Sequence, residues 1–196
     1  MEPERYQTTN KMAVILKASP RKRSNSSLLA DELAAGFRET GGETKDFPLQ
    51  EMNIQPCNGC DACQGPKAKG CTVKDDMQLI YPVIRQASVV VLATPVYWFT
   101  FSAQLKVAID RFYALESPQG HGLKGKTMVL LMVYGDVDPY TAGAVNAIHT
   151  FEDMCRYTGS PVGGILYGSA SERGEIASNK DLLAKTRNLG IKLASL

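Results

Sequence analysis

The sequence lacks several features that would place it in a common functional class. Its 196 residues contain no apolar run near the roughly 20 residues that cross a bilayer. Basic residues are scattered and the formal net charge is only +2, so we expect no nucleic-acid surface. The two histidines, His121 and His149, lie in no nucleophile motif. This scarcity disfavours hydrolysis by a catalytic triad.

The pattern of a secreted, disulfide-linked protein is missing as well. The first ten residues are polar and do not resemble a signal peptide, so we expect a cytoplasmic protein. The chain has five cysteines, and in a reducing compartment an odd number favours metal or redox chemistry over structural disulfides. Cys155 falls on a predicted helix and is expected to be a small core residue.

Apolar runs and helical patterns alternate along the whole chain. We predict one domain over residues 1–196, with a cysteine-rich loop at about residues 50–75. The predicted strands are 12–18, 43–47, 88–93, 127–133 and 162–167, and the predicted helices are 26–37, 77–87, one from Ser102, 142–157 and 180–194. This alternation predicts a doubly wound, five-stranded parallel sheet in a three-layer α/β/α sandwich. Ligands of such sheets bind beyond the carboxyl ends of the strands, here the loops after strands one, three and four.

The loop after the first strand, residues 19–26, reads S-P-R-K-R-S-N-S. Hydroxyls, an amide and cations precede the N-terminus of a helix, which is a phosphate-binding combination. The loop has no glycine and therefore matches neither the dinucleotide nor the P-loop motif. A phosphate monoester fits it better than a pyrophosphate. The alternative is an ordinary N-cap at Ser24 or Asn25 beside solvated cations.

Three consecutive aromatic residues follow the most apolar strand, in the segment 94–99 that reads T-P-V-Y-W-F. At a ligand-bearing edge they can line a flat apolar pocket for a ring system, with Pro95 stiffening the turn. The alternative is simple core packing. Farther along, Asp110 and Arg111 are interpreted as a structural ion pair or cap, and Asp75 and Asp76 as caps of the helix from residue 77.

Four of the cysteines lie close together, in a C-x2-C-x2-C-x7-C pattern. They are Cys57, Cys60, Cys63 and Cys71. Three closely spaced thiols favour an iron-sulfur cluster, because zinc sites usually come as two separated pairs. A redox-sensitive loop without metal and a zinc-stabilised binding module remain the alternatives.

Three segments together carry a family resemblance: S-P-R-x-x-S-N-S at 19–26, T-P-V-Y-W at 94–98 and S-A-Q-L-K-V-A-I-D-R at 102–111. They resemble the NADPH-dependent FMN reductase family, in particular the branch that includes the iron-sulfur flavoproteins, over residues 12 to about 133. The resemblance implies a flavodoxin-like fold, an FMN-dependent oxidoreductase with NAD(P)H as reductant, and a homodimer or homotetramer. It also implies a small-molecule or protein electron acceptor. The second function that it allows is an electron carrier between protein partners.

The resemblance assigns residues to each part of the cofactor. The FMN phosphate would be held by Ser19, Arg21, Ser24, Asn25 and Ser26. The flavin ring would meet Thr94, Pro95, Val96, Tyr97 and Trp98, with Tyr134 and Gly135 of the third loop at its rim. The four clustered cysteines would bind a [4Fe-4S] cluster that passes electrons to FMN.

Overall fold

The computed structural model describes residues 11–65 and 67–196 of the chain. The first ten residues, on which the expectation about a signal peptide rests, lie outside the described residues. None of the described helices is long and apolar enough to span a bilayer.

Five parallel strands form the sheet in the spatial order β2-β1-β3-β5-β6. These strands are β1 (Met12–Lys17), β2 (Glu43–Pro48), β3 (Val89–Tyr97), β5 (Thr127–Tyr134) and β6 (Val162–Ser169). A short strand, β4 (Thr100–Phe101), pairs antiparallel with the end of β3. The order places β1 and β3 side by side with connections running away on either side, as in flavodoxin-like sheets. The predicted fold class is confirmed.

Helices cover both faces of the sheet. One face carries α1 (Asn25–Glu39) and α5 (Lys180–Ser195), and the other carries α2 (Met77–Gln86), α3 (Ala103–Asp110) and α4 (Ala144–Thr158). Three short 3-10 helices span Leu49–Glu51, Arg111–Leu115 and Glu175–Ser178. Alternate residues of each central strand face opposite cores, so Ile15 packs under α1 while Leu16 packs under α2. Two apolar layers therefore hold the sheet rigid beneath its loops.

The helices α1 and α5 approach each other closely through two glycines. A Cβ on Gly36 would overlap the carbonyl of Arg187, and one on Gly190 would overlap the carbonyl of Leu33. The absence of side chains at these positions fixes α1 against its neighbour and so fixes where the N-terminus of α1 points.

The predicted order of strands and helices agrees with the structure, and the differences lie near the carboxyl end of β3. This strand continues through Tyr97, so Pro95 lies inside it and does not stiffen the turn. The hairpin to β4 was missed because two residues are too short for a periodic signal.

Candidate functional site

A cleft of about 270 Å³ opens at the carboxyl end of the sheet. The structure brings ten of the twelve residues predicted to bind the cofactor into its lining: Ser19, Arg21, Ser24, Asn25, Ser26, Pro95, Val96, Tyr97, Tyr134 and Gly135. Val133, Ala170 and Ser171 complete the lining and were not predicted. Ala170 and Ser171 could have been found from the sequence, because they directly follow β6, the fifth predicted strand. The carboxyl ends of parallel strands lie at the same edge of a sheet.

The N-terminus of α1 forms the polar part of the cleft. Ser24 caps the helix, since its Oγ accepts the backbone N–H of Ser27 at 3.2 Å. No hydrogen bond within the described part of the chain uses the backbone N–H of Asn25 or Ser26. These two amides lie at the positive end of the helix dipole, so this part of the cleft suits an anion.

Asn25 contributes to the cleft in a different way from the one expected. Its side-chain Nδ2 donates to the carbonyl oxygen of Glu172 at 2.8 Å and to that of Ala170 at 3.5 Å. Its Oδ1 accepts the backbone N–H of Ile176 at 3.2 Å. The side chain thus ties the loop after β6 to the loop of residues 19–26, and the backbone N–H of Asn25 is the group left for a ligand.

No hydrogen bond or ion pair to another described residue uses the side-chain cations of the first loop. The backbone N–H of Arg21 donates to Ser19 Oγ at 3.3 Å, while the exposed guanidinium has no ion-pair partner among the residues described. Two residues farther along the loop, Arg23 has a left-handed backbone, with φ at 51°. The side chain of Arg21 is therefore available to a bound anion at the mouth of the cleft.

The aromatic segment turns back on itself at Trp98 and Phe99. Both residues have positive φ, 46° and 66°, and they join β3 to β4 as a two-residue turn. A type I′ turn needs positive φ at both positions, which usually selects Asn and Gly, and two aromatic side chains there store backbone strain. The turn leaves the side chain of Trp98 91% exposed. Trp98 consequently does not line the cleft.

Trp98 lines a second depression of about 290 Å³ that adjoins the cleft. The two share Val96, Tyr134 and Gly135. The tip of the hairpin is anchored, because the side chain of Asn146 in α4 donates to the carbonyl of Phe99 at 3.2 Å. The cleft and the depression form one continuous surface past the ends of β3 and β5.

Thr94 is fully buried beneath the cleft. Its Oγ1 accepts the backbone N–H of Ser102 at 3.1 Å and donates to the carbonyl of Pro95 at 2.8 Å. The hydroxyl of Ser102 donates in turn to the carbonyl of Ala18 at 2.8 Å. This network joins the ends of β1 and β3 to the start of α3, so Thr94 supports the site from below.

Tyr134 closes the third side of the cleft. Burial raises the pKa of its phenol, and the neighbouring Tyr167 and Asp138 raise it further. Its ring lies 6.2 Å from that of Tyr167. The Tyr134 hydroxyl therefore stays protonated at neutral pH and can donate a hydrogen bond.

The four clustered cysteines occupy the segment between β2 and α2. Cys57 and Cys60 are exposed, Cys63 and Cys71 are half-buried, and all four are free. Within residues 11–65 and 67–196, no three Cys, His, Asp or Glu side chains lie close enough together to hold a metal ion. The structure thus does not bring the predicted ligands together.

One of these cysteines contacts a buried cation. Nη2 of Arg111 donates to the sulfur of Cys71 at 3.3 Å, and Nη1 donates to Asp75 Oδ2 at 2.5 Å. Arg111 is paired with Asp75, whereas the neighbouring Asp110 pairs with Lys106. The predicted ion pair between Asp110 and Arg111 is therefore wrong, because the carboxylate that Arg111 binds lies 36 residues away in sequence.

The Arg111–Asp75 pair has side chains that are only 1% and 0% exposed. Burial alone would raise the pKa of Asp75, but the hydrogen bonds and charge of Arg111 and the backbone N–H of Gln55 hold it below its usual value. Burial would likewise lower the pKa of Arg111, and its bonds to Asp75 and Cys71 raise it instead. Both groups remain charged at neutral pH.

The same groups clamp both ends of the cysteine segment. Asp75 accepts the backbone N–H of Gln55 at 2.9 Å, and Arg111 donates to the carbonyl of Gln55 at 2.7 Å. Asp75 also caps α2 through the N–H of Met77, as predicted, while Asp76 accepts the N–H of Asn53 and does not cap the helix. The segment is thus fixed where it starts and ends, and in its middle Gln64 donates to the carbonyl of Tyr113 at 2.9 Å.

The two sites fit two cofactors on chemical grounds. Free amide N–H groups, hydroxyls and the guanidinium of Arg21 suit a phosphate monoester, and Pro95, Val96 and Tyr97 suit a flat ring beside it. Four thiols suit a cluster of iron and sulfide. Two of their sulfurs already accept N–H donors, Cys71 from Arg111 and Cys63 from Gln64 at 3.4 Å.

Comparisons with known proteins agree with these features. The model of the NADPH-dependent FMN reductase family matches residues 11–158. An iron-sulfur flavoprotein of Archaeoglobus fulgidus is 36% identical over 140 residues, which cover 71% of this chain and 70% of that protein. The iron-sulfur flavoprotein MJ1083 of Methanocaldococcus jannaschii is 28% identical over 194 residues, 92% of this chain and 94% of that one. Among solved structures, the Trp repressor binding protein from Bacillus subtilis matches with a TM-score of 0.65 and 25% identity, covering 91% of this chain and 97% of that chain.

Proposed function

Because this chain belongs to the NADPH-dependent FMN reductase family, we propose that the cleft at the ends of β1, β3 and β5 holds its FMN. The chain is then an FMN-dependent oxidoreductase that takes electrons from NAD(P)H and passes them to a small-molecule or protein acceptor. The observation that carries this proposal is the convergence of the phosphate loop and the aromatic strand end on one cleft.

The residues of the cleft divide into two groups by chemistry. The backbone N–H groups of Asn25 and Ser26 and the guanidinium of Arg21 would bind the phosphate. Pro95, Val96 and Tyr97 would orient the ring, with the protonated hydroxyl of Tyr134 as a donor at its rim. When bound, FMN supplies hydride and single-electron chemistry, so none of these side chains need act as acid or base.

The hairpin tip would control what reaches the site. Tyr97 is 37% exposed and lines the cleft, while the exposed Trp98 lines the adjoining depression. An acceptor with an aromatic or quinone-like ring can stack in such a depression. We therefore assign Tyr97 to the cofactor and Trp98 to the acceptor.

Stopped-flow spectroscopy of anaerobically purified protein tests the reductase. The expected result is a flavin spectrum that bleaches rapidly when NADPH or NADH is mixed in. Protein that holds FMN but stays oxidised with both nucleotides contradicts reduction by NAD(P)H. Protein that binds neither FMN nor riboflavin contradicts the assignment of the cleft.

A second candidate function, an electron carrier that relays electrons between protein partners, is favoured by the cysteine segment. Its four thiols would hold a [4Fe-4S] cluster, and the relatives named iron-sulfur flavoproteins support this assignment. Iron, sulfide and zinc analysis of anaerobic protein tests it, with four iron and four sulfide per chain expected. Zinc alone, or no metal, contradicts the cluster.

Oligomerisation and location complete the proposal. The exposed Trp98 and Phe99 line the depression beside the cleft, and the exposed Val137 and Tyr140 lie in the chain between two further residues of its lining, so these apolar side chains suit the contact of a homodimer or homotetramer. Light scattering of the purified protein checks this, and a monomer contradicts it.

A cytoplasmic location agrees with the five free cysteines.

A further inference from the structure

Arg111 is an unusual residue to find in the interior. It lies in the 3-10 helix after α3, its side chain is 1% exposed, and it is placed between Asp75 and the sulfur of Cys71. Burying a guanidinium is costly unless each of its N–H groups is paired. Its Nε is buried and has no hydrogen-bond partner among the residues described. This buried cation thus has one donor on a thiol sulfur and a second donor, Nε, that no described residue uses.

We propose that Arg111 is a positioning residue for the cluster: it fixes Cys71 as the fourth ligand and stabilises the reduced cluster through N–H···S hydrogen bonds. This inference rests on the iron-sulfur part of the proposed function. Asp75 holds the guanidinium in place with both carboxylate oxygens, Oδ2 on Nη1 and Oδ1 on Nη2 at 3.2 Å, and Nη2 also donates to the sulfur of Cys71 at 3.3 Å. Gln78 supports the same position, since its Nε2 donates to the carbonyl of Cys71 at 3.1 Å.

The physical reason is charge. One-electron reduction adds a negative charge to a cluster, and donors to its sulfurs stabilise that charge and raise the reduction potential. Arginine serves better than lysine here, because its rigid fork can reach the carboxylate and the sulfur at once. None of the partners of Arg111 lines the flavin cleft, so the potential of FMN in the same molecule is an internal reference.

The first test measures the midpoint potentials of cluster and flavin in the anaerobic holoprotein by electron paramagnetic resonance and visible spectroscopy. In Arg111→Gln we expect reduction of the cluster to become at least tenfold less favourable, a fall of about 59 mV for one electron. Arg111→Lys should give a smaller fall. Lys106→Gln, which breaks an exposed ion pair one turn earlier, should change neither potential. An unshifted cluster potential in Arg111→Gln overturns the inference.

A second measurement needs no variant and therefore remains decisive if Arg111→Gln does not fold. Wild-type holoprotein is labelled with ¹⁵N-arginine, and pulsed electron paramagnetic resonance of the reduced cluster should detect coupling to arginine nitrogen. A cluster that shows no such coupling overturns the role of Arg111 alone. Wild-type protein that contains no cluster overturns both this inference and the iron-sulfur part of the proposed function.

Discussion

The phosphate loop and the cysteine segment both follow strands of the same sheet, yet the fold prepares them to different degrees. At the phosphate loop, the free N–H groups of Asn25 and Ser26 already face the cleft, because the helix that carries them is packed against the sheet. At the cysteine segment, Asp75 and Arg111 fix the ends and Gln64 donates to the carbonyl of Tyr113 from the middle, yet no three of the sulfurs lie close enough together to hold a metal ion in the described part of the chain. The first arrangement is a product of helix geometry, whereas the fold alone does not gather the described thiols of the second.

This difference follows from what each of the two proposed cofactors would require. An anion can be bound by backbone groups that every helix N-terminus exposes, so folding alone prepares the site. Thiolates repel one another, and a cage of them forms only when a cation or cluster offsets that repulsion. We therefore expect flavin binding to be independent of metal, and closure of the cysteine segment to depend on it.

The largest expected effect comes from Cys60→Ser. This change removes one of the four proposed ligands, so we expect iron content to fall at least about tenfold while FMN affinity stays unchanged. Iron analysis and flavin fluorescence measure the two quantities on one sample. Loss of iron and of FMN affinity together would contradict the expectation that the two sites are independent.

Cys155→Ser is the matched control for the cysteine substitution. Burial, together with Glu152, raises the pKa of the Cys155 thiol to about 11, so the thiol stays protonated in the core and is a poor metal ligand. The variant should keep its iron. Equal loss of iron from both variants would point to general instability instead of a lost ligand.

Asp75→Asn should have the next largest effect, on the stability of the clamp itself. It leaves the guanidinium of Arg111 buried without a carboxylate, which we expect to lower the free energy of unfolding by about 3–5 kcal/mol at pH 7. Urea unfolding of the metal-free protein measures this. Asp110→Asn, which removes an exposed partner of Lys106, should cost less than about 1 kcal/mol. Similar losses in the two variants would contradict the buried clamp.

The same pair predicts a pH dependence of known sign. The pKa of Asp75 is lower in the folded protein than its ordinary value of 3.8, so its contribution to stability is complete above that pH. The contribution declines below pH 3.8 and is lost as the pH falls through the folded pKa. The stability difference between wild type and Asp75→Asn should therefore shrink on acidification, and a difference that grows would contradict the assignment.

A smaller effect is expected from a charge placed in the phosphate site. Ser19→Asp sets a carboxylate against the phosphate, which should weaken FMN binding by about 2 kcal/mol, roughly 30-fold. Riboflavin has no phosphate and should lose far less affinity. Ser88→Asp, at the opposite end of the sheet, is the control and should leave FMN binding unchanged. Equal losses of affinity for FMN and riboflavin would mean that the phosphate of FMN does not bind beside residue 19.

The sequence was most informative where a few adjacent residues define the structure. The position of residues 19–26 before a helix could be predicted because their hydroxyls and cations directly precede an apolar helical pattern, and Ser24 caps that helix. Ser171 was not predicted, although it follows the last strand and so lies at the edge of the sheet where the cleft opens. The Arg111–Asp75 pair could not be predicted, because 36 residues separate its members and no local pattern links them.

The turn at Trp98 could not be predicted from the sequence for a different reason. Aromatic residues rarely adopt positive φ, so three aromatics in a row predict a buried wall and not a hairpin tip. Antiparallel pairing of Val96 with Phe101 overrides that local preference. The exposure of the Trp98 side chain therefore depends on strand pairing, which the local sequence does not predict.

The smallest expected effect separates the two aromatic residues at the cleft. Tyr97 lines the cleft, so Tyr97→Ala should weaken FMN binding by about 1 kcal/mol. Trp98 is 91% exposed and outside the cleft, so Trp98→Ala should change FMN affinity by less than about threefold. Alanine keeps the same backbone requirement as tryptophan at positive φ, which makes the change a test of the side chain alone. Fluorescence titration gives both affinities, and steady-state kinetics should show the effect of Trp98→Ala in the KM for the acceptor. A loss of FMN affinity as large as that of Tyr97→Ala would instead place the ring of the cofactor against the hairpin tip.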